Sequence, residues 1–125
     1  MRRTTIIALA ILSLVSYASA FGQTQPPYDV VRFETNLMIP MRDGKHLSSY
    51  LYYPSGKGPW PVIFEQRYAS LRGKGTRQAA AEIARAGYVV ALVNYRGTHK
   101  SEGTWVGYRA LQWGELSDGY DTCEW

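Results

Sequence analysis

Two short apolar runs with a helix-forming stretch between them constrain this chain more than any other feature. Pro61-Val62-Ile63-Phe64 is a short, nearly continuous apolar segment of the kind that a parallel sheet buries on both faces. Beyond a polar, Gly-rich stretch, Ala79, Ala80, Ile83, Ala84 and Ala86 give a small apolar face at helical spacing. Thr76 is placed to cap the start of that helix and Gly87 its end. Tyr88-Val89-Val90-Ala91-Leu92-Val93 is the second buried run. Strand, helix and strand within about 35 residues predict a βαβ unit with a right-handed crossover and two parallel strands. The expected fold class is α/β.

The flanks fit that core. Val31, Phe33, Thr35, Leu37 and Ile39 alternate with Arg32, Glu34, Asn36 and Met38, the two-residue period of a half-buried strand. Arg42-Asp43-Gly44-Lys45 supplies a tight turn, because Gly44 accepts a positive φ and Asp43 tolerates one. A second strand from His46 to Tyr53 completes an antiparallel hairpin, closed by Pro54 and the loop Ser55-Gly56-Lys57-Gly58-Pro59. Residues 95–115 are loop-like and longer than a plain connector. Ser117 then caps a last helix, with Asp118 and Asp121 at the positive end of its dipole. The sequence reaches Trp125 about two turns later, with nothing after that ring to pack against it, which reads as a fragment.

Residues 1–20 have the chemistry of a secretory signal peptide: Arg2 and Arg3, an apolar run from Ile6 to Val15, and an Ala18-Ser19-Ala20 exit. The run is too short for the ~20 residues that cross a bilayer, so no stable membrane insertion is expected after cleavage. Residues 21–29 form a polar, Pro-containing leader, and residues 30–125 the folded part. Without Arg2 and Arg3 the 14 basic residues fall to 12 against 10 acidic ones. No basic stripe remains, and nucleic acid is not an expected partner. Cys123 is the only cysteine, which excludes an internal disulfide and a cysteine zinc cluster. The expected location is periplasmic or secreted.

Three segments, in this order, resemble the cocaine esterase and X-prolyl dipeptidyl-peptidase family of serine hydrolases. They are Pro40-Met41-Arg42-Asp43-Gly44-Lys45-His46-Leu47, then Arg85 to Gly97 with Ser101-Glu102-Gly103, then Asp118 to Trp125. The resemblance implies the N-terminal part of an α/β-hydrolase, with the last helix leading to the nucleophile. Two positions depart from the family pattern. Asn94 stands where the family usually has Asp, and Gln66-Arg67-Tyr68 lacks the proline of an Arg-x-Pro-Tyr-like stretch.

Acyl transfer by a serine enzyme needs a nucleophile on a strained turn, a histidine base, an acid and oxyanion donors. No G-x-S-x-G occurs in the 125 residues. Ser55 and Ser101 read as solvated loop serines, His99 as a solvated loop histidine, and His46 as part of a strand face. Arg96 and Glu102 read as loop-fixing charges, paired with each other or not. The resemblance implies that the nucleophile, acid and base lie beyond Trp125. It also implies that Tyr68 matches the family tyrosine whose hydroxyl helps to hold the oxyanion. No cofactor and no metal are expected, Asp118 and Asp121 being accounted for by the helix start. The expected substrate is a small ester, an amide or an X-prolyl peptide. The competing reading is a non-catalytic secreted binding module that keeps the front half of a hydrolase.

Overall fold

A computed structural model describes residues 31–111 and 115–125. The segments expected to be a signal peptide and a leader lie outside the described residues. The elements are β1 (Val31–Pro40), β2 (His46–Pro54), β3 (Val62–Arg67), α1 (Lys74–Arg85), β4 (Val89–Asn94), a 3-10 turn (Gly107–Leu111) and α2 (Asp118–Glu124). The strands form one mixed sheet in the order β1-β2-β4-β3. β1 and β2 are an antiparallel hairpin, β2 and β4 are antiparallel, and β3 and β4 are parallel neighbours joined through α1. The expected hairpin and βαβ unit are therefore both present. Among the described residues β3 pairs on one side only, with β4.

The alternation in β1 does not put its apolar residues on one face. A bulge between Thr35 and Leu37 shifts the register, and Asn36 takes a left-handed φ of 57° there. Asn is one of the few residues that accepts that conformation, which is why the bulge sits on it. Before the bulge, Phe33 stacks on Tyr52 at 4.5 Å, on the face that α1 covers. Tyr50, Tyr52, Leu71, Ala80, Ala84, Val90 and Leu92 form the core there. Beyond the bulge Ile39 joins Met41, Leu47 and Val93, with Phe64, on the opposite face. One extra residue in β1 lets a single strand feed two cores. Each large side chain buried in this way stabilises the fold by about 1.5–3 kcal/mol. The Ser49 hydroxyl donates to the Leu37 carbonyl at 2.9 Å and satisfies the backbone beside the bulge.

α1 starts earlier than its pattern suggests. Gly73, not Thr76, is the N-cap, and the Thr76 hydroxyl instead accepts from Arg67 Nη1 at 3.4 Å. Lys74 and Gly75 carry no apolar periodicity, so the first turn is silent in the sequence. Gly87 closes the helix as expected, with φ 100° and its N–H on the Ala84 carbonyl.

Candidate active-site scaffold

Residues at the carboxyl end of β4 fasten two different pieces of the molecule. Asn94, 2% exposed, donates from Nδ2 to the carbonyl of Arg67 at 3.3 Å and of Ala69 at 3.0 Å. His99 Nε2 lies 2.8 Å from the Tyr68 carbonyl, and since a carbonyl only accepts, Nε2 carries the hydrogen. The backbone N–H of Tyr95 adds a bond to the Arg67 carbonyl. Three consecutive carbonyls of the turn after β3 are thus held by donors from β4 and the loop that follows it. The Tyr68 side chain itself is 61% exposed. Its backbone is fixed while its ring faces outward.

Tyr68 therefore sits where a parallel strand ends, in a turn whose backbone is fixed. Buried Tyr95 meets Trp105 and Tyr108, both at 5.5 Å between ring centroids. Burial pushes the Tyr95 phenol above its ordinary value, and the nearby Tyr108, Glu65 and Tyr68 push it further the same way.

Two residues after Asn94, Arg96 is 4% exposed and grips two carboxylates. Its Nε and Nη2 donate to Asp118 at 3.0 and 2.6 Å, and its Nη1 and Nη2 to Asp43 at 2.6 and 3.2 Å. Both carboxylates hold the guanidinium above its already high pKa, Asp118 first. The Arg96 hydrogen bond in turn holds Asp43 below the ordinary carboxylate value. Next door, Arg42 gives its backbone N–H to Asp121 at 2.8 Å and its Nη2 at 2.7 Å, which keeps Asp121 low as well. The β1-β2 turn, the β4 loop and α2 are locked at one point. Those are the three segments that carry the resemblance.

Two glycines make room for close packing in the loop after β4, one against its own backbone and one against Arg96. Gly97 has φ 68°, and a Cβ there would fall 2.2 Å from the Trp105 backbone nitrogen. At Gly103, φ 84°, a Cβ would meet the Arg96 side chain at 2.9 Å.

Several expectations are corrected by this geometry. Arg96 and Glu102 do not pair with each other: Glu102 accepts from the His46 backbone at 2.9 Å and lies 3.1 Å from His46 Nδ1. Ser101 is not solvated, being 8% exposed; its hydroxyl donates to the Asn94 carbonyl and accepts the Ser48 N–H. A hydroxyl used twice in this way is no nucleophile. His99 is exposed but tied to Tyr68 rather than merely solvated. Asp118 and Asp121 stand in the first turn of α2, as expected, yet their arginine partners explain them better than the helix dipole does. Among the described residues no group of three or more His, Cys, Asp or Glu is placed to hold a metal ion. No described helix is long and apolar enough to cross a membrane.

Comparison with known proteins agrees with this scaffold. Residues 43–125 match the model of the X-Pro dipeptidyl-peptidase (S15) family. The cocaine esterase of Rhodococcus sp. (strain MB1 Bresler) is 32% identical over 95 residues, which cover 73% of this chain and 16% of that enzyme. An aminopeptidase from a marine sediment Thaumarchaeota archaeon superposes with a TM-score of 0.59 at 26% identity, over 84% of this chain and 20% of that one. A CocE/NonD family hydrolase from Staphylococcus aureus superposes with a TM-score of 0.65 at 22% identity, over 78% and 21%. The chain spans about a fifth or less of the length of these relatives. Its mixed four-stranded sheet is a small N-terminal portion of the α/β-hydrolase fold. On the match over residues 43–125, the chain belongs to the X-Pro dipeptidyl-peptidase (S15) family.

Proposed function

We propose that the protein is an exported serine hydrolase of ester or amide bonds, and that residues 30–125 are the scaffold ahead of its nucleophile. In this reading the catalytic serine, acid and histidine lie beyond Trp125, and the described residues alone do not turn over substrate. The observation that carries it is the fixed backbone of Tyr68 at the end of a parallel strand. A tyrosine hydroxyl held there donates to the oxygen that becomes negative as the carbonyl is attacked. Removing one such donor costs about 10²–10³ in turnover.

The relatives' names, an esterase and an aminopeptidase, support ester and amide substrates, and X-prolyl peptides are the further class the family name suggests. Gln66 supports a site completed by more polypeptide: among the described residues its side-chain amide is shut away from solvent with no partner. So does the open side of β3. Export rests on Arg2, Arg3, the apolar run and the Ala18-Ser19-Ala20 exit.

The test is to label the full-length protein with a serine-reactive fluorophosphonate and to assay an activated ester beside an X-prolyl anilide. The expected result is hydrolysis with the label on a serine beyond Trp125. Label on Ser55 or Ser101 would contradict the reading. Neither label nor turnover would favour the secreted binding module.

A further inference from the structure

We infer that a hollow beside the Tyr68 loop binds a small oxyanion of the carboxylate or phosphate class. The hollow, of about 350 Å³, lies between the loop after β3 and the loop after β4, and Ser48, Tyr50, Ser70, Arg72, His99 and Lys100 contribute to its wall. It is far larger than one water, which takes ~30 Å³ of liquid, and falls within the ~300–1,000 Å³ typical of small-molecule sites.

Its wall offers donors. The Tyr50 hydroxyl accepts from Arg72 Nε at 3.2 Å, so its own hydrogen is left to give. The Ser70 hydroxyl accepts the Arg72 backbone N–H at 3.2 Å and is left in the same position. Arg72 and Lys100 add two cations, and no carboxylate lines the hollow. Among the described residues neither cation has an ion-pair partner. The bond from Nε to Tyr50 fixes the Arg72 guanidinium, which suits it to two-point contact with an oxyanion. A neutral ligand would leave both cations unmatched.

The wall is also held in shape. His99 keeps a left-handed φ of 51°, a conformation that is costly for a non-glycine residue and persists only where the surroundings enforce it. Its bond to the Tyr68 carbonyl supplies that enforcement and ties the hollow to the turn that carries Tyr68. The inference goes beyond the hydrolase reading and does not need it, because binding is read without turnover.

The experiment follows, in the full-length protein, the imidazole signals of His99 and His46, each assigned by its loss in a His→Gln variant, by NMR at constant ionic strength. Sodium phosphate, sodium acetate and sodium benzoate are added separately. A saturable shift at His99 and none at His46 is expected, weakened at least tenfold in both Arg72→Gln and Lys100→Gln. Saturation by acetate or benzoate identifies a carboxylate ligand, and saturation by phosphate alone identifies phosphate. No saturable shift with any of the three would overturn the inference. So would binding that survives both substitutions, or equal weakening in Arg109→Gln, a cation outside the hollow.

Discussion

Asn94 and Arg96 stand two residues apart and hold their neighbours by opposite means. Asn94 uses a neutral amide to grip the backbone of the Tyr68 turn and leaves that tyrosine's ring in solvent. Arg96 uses a buried charge to grip Asp43 and Asp118, and leaves almost nothing of itself exposed. The neutral grip is the weaker and the more forgiving. A charged grip in a dry site sets one geometry, because the loss of either partner strands a charge. The contrast suits a scaffold in which α2 has a single position while the Tyr68 side chain stays exposed.

The sharpest way to break the comparison is Arg96→Met. It leaves Asp118, 0% exposed, without its cation, and should cost about 3–5 kcal/mol in denaturant unfolding. A cost below about 1 kcal/mol would show that the charged grip is no stronger than the neutral one. Next comes Asn94→Asp, which changes the amide to a carboxylate of the same shape. Here it sets a carboxylate against two carbonyls, and a loss of about 1–3 kcal/mol is expected at neutral pH. Unchanged stability would mean that the amide does not hold the turn.

Acid separates the two grips without mutation. Asp43 and Asp121 have native pKa values below the ordinary 3.8, each through a hydrogen bond from an arginine. Carboxylates depressed in the native state contribute stability that is complete above the unfolded value and is lost as pH falls through the native one. Urea midpoints should therefore fall below about pH 4. In Arg96→Met the part of that fall due to Asp43 should vanish, whereas in Asn94→Ala, which adds no titrating group, the whole of it should remain. An equal fall in Arg96→Met and the parent would detach Asp43 from the clamp.

The smallest expected change in stability is that of Tyr68→Phe. A hydroxyl on a ring 61% exposed should change stability by no more than about 0.5 kcal/mol, while turnover of the full-length enzyme drops about 10²–10³-fold. Unchanged turnover would remove Tyr68 from the site.

The fold was legible because its signals are local. A glycine at 44, an apolar run at 89–93 and a glycine at 87 each specify backbone without reference to distant residues. The site was less so. Only resemblance marks Tyr68 in the sequence, and the partners of Arg96 lie 53 and 22 residues away, a separation no spacing rule reaches. Asp118 had a sufficient local explanation at a helix start, which hid the stronger distant one. The Asn36 bulge was equally silent, since an alternating pattern looks the same whether its second half faces one core or the other.

Native-state amide hydrogen exchange across α2 bears most directly on the clamp. A seven-residue helix has no protection of its own in water and must borrow it from what it is docked against. The account predicts measurable protection at Asp121 and Trp125, whose N–H groups bond to Ser117 and Asp121, and a larger loss there than in β4 when Arg96 becomes Met. Protection in α2 that is unaffected by that substitution, or that falls only in step with β4, would contradict it.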